Sequence, residues 1–88
     1  MQQPETITTL DALPAGHSGR FVAMNLPPAE QQRMAEMGLT AGTPVIVTKR
    51  GHRGGPLELR VRGCKLSLRR NVARQIQVTR TAEGAGHG

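Results

Sequence analysis

The chain has 88 residues, of which the 18 Leu, Ile, Val and Phe residues make about a fifth. That allows one small domain with a thin core and excludes a large multi-substrate enzyme or a deep buried cavity. Gly and Pro number 11 and 6, below the share typical of low-complexity chains, so the chain reads as folded. Twelve Lys and Arg against six Asp and Glu give a net charge of +6, which points to nucleic acid, lipid headgroups or an acidic protein face.

Residues 1–6 read as a flexible start, with no basic stretch followed by an apolar run, hence no signal peptide. Residues 16–25 read as a first strand, because Arg20, Val22 and Met24 alternate with Phe21 and Ala23. Apolar groups on both faces leave its inward side open. A short helix follows, with Asn25 or Leu26 near the cap, Pro27 and Pro28 in the first turn and Glu30 near the positive end. Gly38 suits the left-handed residue after that helix, with Leu39 set to touch Met34 and with Met34 and Met37 facing the core.

Gly42, Thr43 and Pro44 open a second strand through Val45, Ile46 and Val47, which ends at Lys49 and Arg50 before a loop over residues 51–55. Next, Leu57, Leu59 and Val61 alternate with Glu58, Arg60 and Arg62, and Leu66 and Leu68 alternate with Lys65, Ser67 and Arg69. Gly63 and Cys64 between them suggest a two-residue type II′ hairpin. That register sets Val61 against Leu66, Leu59 against Leu68, and Arg62 against Lys65 at the tip. Residues 71–73 fit one helical turn, Ile76 and Val78 a last strand, and residues 80–88 a disordered tail. About five short strands and one helix within residues 7–79 suit a small, partly open barrel.

The charge is concentrated. Residues 49–74 hold nine basic residues (Lys49, Arg50, Arg53, Arg60, Arg62, Lys65, Arg69, Arg70 and Arg74) against Glu58, a local +8 that leaves −2 elsewhere. Catalytic sets are scarce, since Asp11, His17 and Ser18 would have to come from one local stretch, and Glu30 and Glu36 read as a solvated helix face. No Walker-type run and no paired Cys or His motif is present. His52 and Cys64 bracket a strand and would sit about 20 Å apart, so within one copy they share no metal. His17, His52 and Cys64 read either as solvated side chains or as surface groups that take up zinc or iron between two copies, as a bridged homodimer. No cofactor is required. Cys64 is the single cysteine and forms no internal disulfide, and no apolar run approaches the roughly 18 residues of a membrane span, so a reducing cytoplasmic setting is the default. Phe21 is the single aromatic residue, which disfavours single-stranded nucleic acid; shape-based RNA binding by the arginines is the alternative reading.

As a set, several stretches resemble the FeoA family of ferrous iron transport proteins. They are Leu13-Pro14-Ala15-Gly16-His17-Ser18-Gly19-Arg20, the run from Arg33-Met34 through Met37-Gly38-Leu39 to Gly42-Thr43-Pro44-Val45, the run Gly54-Gly55-Pro56-Leu57 to Gly63, and Leu66-Ser67-Leu68-Arg69. The resemblance runs over about residues 7–78. It implies a mainly β, SH3-like barrel of five to six strands with one or two short helices. It also implies a non-enzymatic cytoplasmic accessory to the FeoB permease, acting on that protein's G domain and reaching the membrane through it. No catalytic residues belong to the pattern; Gly38, Gly42 and Gly63 match it as backbone positions. On this reading Arg60, Arg62, Lys65 and Arg69 form the face for an acidic protein surface or anionic inner-leaflet lipid, and a transition-metal sensor is a further alternative.

Overall fold

The structure is a computed structural model and describes residues 5–81. Six strands are present: β1 (Glu5–Thr9), β2 (Ser18–Met24), β3 (Pro44–Arg50), β4 (Leu57–Val61), β5 (Cys64–Leu68) and β6 (Ile76–Thr81). Two helices join them, α1 (Pro28–Glu36) and α2 (Arg70–Ala73), with single 3-10 turns at Leu10–Ala12 and His52–Gly54. All pairings are antiparallel, in the order β1-β6-β2-β3-β4-β5. β1 and β5 are therefore the two edges, and the barrel stays open. Residues 1–4 and 82–88, and with them His87 and most of the expected start and tail, lie outside the described residues.

β1 is the strand that the sequence pattern does not announce. Glu-Thr-Ile-Thr-Thr offers one large apolar group, Ile7, and that side chain is 60% exposed, so no inward alternation marks it. Backbone pairing of Glu5 with Thr81 through Thr9 with Gln77 holds it, helped by its run of β-branched residues.

The core is formed where Val45 and Val47 of β3, Leu57 and Leu59 of β4, and Ile76 and Val78 of β6 alternate inward and are fully buried. Each such side chain contributes roughly 1.5–3 kcal/mol. In β2 the register shifts between Phe21 and Ala23, so one extra residue is absorbed. Phe21 is buried while Val22 is half-buried, which explains why apolar groups fall on both faces of this strand. A second shift between Val47 and Lys49 bends β3.

α1 starts at Pro28, after a cap at Pro27 rather than at Asn25 or Leu26. The ring of Pro28 keeps the residue before it extended, and Pro27 has ψ of 152°. At the other end Leu39 N–H donates to Met34 C=O and Gly38 N–H to Ala35 C=O, both at 3.0 Å, and Gly38 has φ of 103°. This is the Schellman stop that the spacing predicts. Met34 is buried at 7% exposure, but Met37 is 39% exposed and does not join the core. The helix ends at Glu36, and Met37 is the residue that caps it.

Candidate functional site

The β4–β5 hairpin turns on Arg62 and Gly63, with φ of 54° and 79°, and not on Gly63 and Cys64. Two positive φ values make a type I′ turn, whose twist matches that of the strands it joins. Val61 therefore faces Cys64, Leu59 faces Leu66 and Leu57 faces Leu68. The shift from the expected register is two residues, so inward residues remain inward. The expected register leaves Leu57 without an apolar partner, whereas here Leu57 meets Leu68 and Leu59 meets Leu66, with Cys64 exposed opposite Val61. Arg60, not Arg62, faces Lys65, and both point outward.

Arg62 instead lies against the end of α1. A side chain added at Gly38 would approach Arg62 Cδ to 2.9 Å, so glycine there serves both the left-handed backbone and the passage of this arginine. Gly42, with φ of 86°, ends the connection to β3, and its carbonyl accepts from Arg20 Nη1 at 3.1 Å.

The nine cations of residues 49–74 divide into two groups. Arg50 Nη1 donates to the carbonyls of Asp11 at 2.8 Å and Leu13 at 2.6 Å, tying the first 3-10 turn to β3. Arg70 donates to Gly55 C=O at 3.1 Å and Gly51 C=O at 3.3 Å, closing the loop around His52–Gly54. Arg74 Nε pairs with the Asp11 carboxylate at 3.6 Å. The other six, Lys49, Arg53, Arg60, Arg62, Lys65 and Arg69, are exposed. Arg60 Nη1 donates to Gly63 C=O at 3.3 Å, which orients it along the hairpin.

Arg60, Arg62, Lys65 and Arg69 do not make one patch. Arg60 and Lys65 are direct cross-strand neighbours. Arg62 is at the turn, and Arg69 follows β5 at the entrance to α2, about 13 Å from Lys65 along the chain. What lies beside them is a groove that periodicity does not reveal. α1 stands apart from β5 and α2, leaving a cleft of about 580 Å³ whose apolar walls are Met34, Met37, Leu66 and Val72. Glu30, Arg33 and Arg69 rim it. The exposure of Met37 and the half-burial of Leu66 follow from this cleft; the short span between the helix start at the prolines and the stop at Gly38 is its one sequence signal.

The three candidate metal ligands are separated. His17 is half-buried before β2 with Nδ1 buried and unpartnered, His52 is exposed beyond one end of β4, and Cys64 is exposed beyond the other. Among the described residues no group of three or more His, Cys, Asp and Glu is placed to hold a metal. The Asp11 carboxylate accepts from the Thr9 hydroxyl and pairs with Arg74, rather than meeting His17. Among the described residues no helix is long and apolar enough to cross a membrane.

Comparison with known proteins fits this geometry to a family. The family model described as the FeoA domain matches residues 8–80. A FeoA protein from Chlorobium tepidum, solved by NMR, is 31% identical with a TM-score of 0.81 over 91% of this chain and 76% of that one. A crystal structure of an iron uptake regulatory protein, FeoA, is 25% identical with a TM-score of 0.75 over 86% of this chain and 99% of that one. FeoA of Stenotrophomonas maltophilia, crystallised with zinc, is 27% identical with a TM-score of 0.70 over 81% of this chain and 88% of that one. It is described as a prokaryotic SH3 domain protein and a candidate ferrous iron transport activating factor. No curated protein matches the chain. The six-stranded open barrel is SH3-like, and with the FeoA model covering residues 8–80 the chain belongs to the FeoA domain family.

Proposed function

We propose that this chain is a non-enzymatic cytoplasmic accessory protein of ferrous iron uptake that docks on the FeoB permease, at its G domain, through the basic β4–β5 hairpin. Membership of the FeoA family supports the accessory role in ferrous iron transport. The observation that carries the docking surface is the division of the cations. Arg50 and Arg70 are half-buried and engaged within the fold and the exposed Arg74 pairs with Asp11, whereas Arg60 and Lys65 stand side by side, exposed and without an acid partner among the described residues, next to an apolar cleft. An acidic rim around an apolar contact on the partner would complement such a surface. Binding of RNA has less support, because Phe21, the single aromatic side chain, is buried in the core and offers no base a stacking platform.

Ferrous uptake by cells lacking the gene tests the reading. Reintroducing the wild-type chain restores uptake, and Arg60→Glu with Lys65→Glu, made as a folded protein, restores it poorly and fails to co-purify with the permease. Unchanged uptake on deletion would remove the proposal.

A further inference from the structure

The open edge of β5 beside the cleft carries an inference about the form of the bound partner. In a two-residue hairpin the residues flanking the turn, Val61 and Cys64, are the first hydrogen-bonded pair, and bonded pairs alternate from there. Leu66 and Leu68 thus direct their backbone N–H and C=O groups toward β4. Lys65 and Ser67 direct theirs outward, to an edge on which no described strand pairs. α1 faces that edge across the cleft without pairing to it.

Lysine on an edge strand commonly guards it against other strands. That accounts for Lys65 but not for the uncovered apolar walls beside it, where Met37 is 39% exposed. The charges around the edge define what fits. Arg33 and Arg69 line the cleft and Lys65 lies on the edge strand itself, against Glu30 in the cleft lining and Glu58 opposite Ser67 on β4. A second copy of the chain paired through β5 would set Lys65 near Lys65 in a molecule already at +6.

We propose that β5 accepts an extended peptide segment of alternating acidic and apolar residues, added to the sheet as a further strand. Its apolar side chains enter the cleft between Met34, Met37, Leu66 and Val72, and its acidic side chains lie on the outer face beside Lys65, with Arg69 at the cleft rim. Main-chain hydrogen bonds to Lys65 and Ser67 hold it, and the two-residue alternation sets its register. The inference rests on the docking reading only for who supplies the segment.

The test uses the full chain and an eight-residue capped peptide of alternating glutamate and valine. On titration the Lys65 and Ser67 amides shift and exchange hydrogen at least tenfold more slowly, while the β1 edge is unmoved. N-methylation of alternate peptide residues gives two series: one, with its blocked amides facing β5, binds at least tenfold more weakly, and the other binds as the parent does. A peptide of four glutamates followed by four valines binds at least tenfold more weakly, and so does the alternating peptide to Met37→Glu. Equal binding of the block peptide, equal effects of the two N-methylated series, or unprotected Lys65 and Ser67 amides would overturn the proposal. So would protection of those amides in the chain alone with a doubled mass, since a second copy would then hold the edge. If the peptide results hold but Ser67→Pro leaves ferrous uptake intact, the edge site stands and the permease reading is at fault.

Discussion

Two regions of this barrel carry similar numbers of arginines and use them in opposite ways. Around the first 3-10 turn and the loop at His52–Gly54, Arg50 and Arg70 are half-buried and donate to four backbone carbonyls, those of Asp11, Leu13, Gly51 and Gly55. On the β4–β5 hairpin, Arg60 and Lys65 lie exposed and adjacent despite their like charge. In the first region a guanidinium replaces the regular hydrogen bonding that a short loop lacks, since a buried carbonyl without a donor is costly. In the second the charges repel each other, and no bond to an acid offsets this among the described residues. A local charge of +8 is therefore a poor measure of binding surface; what counts is how much of it the fold has already engaged.

Four variants probe this contrast. The largest effect is expected at the shared core, where Leu59→Ala costs about 2–5 kcal/mol. A core of this size supplies about 3–5 kcal/mol in all, so the variant should be largely unfolded by circular dichroism at room temperature. Next, Gly38→Ala combines a positive φ with a close approach to Arg62, and a loss of roughly 1–3 kcal/mol in urea unfolding is expected. Arg70→Ala leaves the carbonyls of Gly51 and Gly55 short of a donor, for a loss of roughly 1–3 kcal/mol, with partner binding retained once the protein is folded. Arg60→Glu with Lys65→Glu changes stability by no more than about 0.5 kcal/mol, while permease co-purification is lost. If Arg70→Ala abolished docking without loss of stability, or the hairpin pair unfolded the domain, the division between cations that hold loops together and cations left on the hairpin surface would be wrong.

How far the residues alone reveal this arrangement depends on the feature. The inward and outward faces of β4 and β5 were legible because Leu57, Leu59, Val61, Leu66 and Leu68 keep strict alternation. The register was not, since a shift of two leaves that alternation intact and the decision falls to turn twist and to the partner of Leu57. The end of α1 was legible because Gly38 has a stereochemical task. The fate of Met37 was not, because burial of a helix flank depends on what stands opposite, and here the opposite wall is half open. β1 was hidden for a related reason: its Ile7 projects to solvent, and its place depends on backbone pairing with a strand some 70 residues later. The groups of Arg50 and Arg70 are set by loop carbonyls distant in sequence, which no composition count records.

The pairing of β1 with β6 has a practical consequence. Glu5 stands opposite Thr81, so the described chain enters and leaves the fold at one margin of the sheet, while β5 forms the other. A tether, label or fused domain attached at Glu5 is thus mounted four strands from β4, and one attached at Thr81 three strands from it. Anchoring at Glu5 or Thr81 therefore leaves the β5 edge presented to whatever it meets.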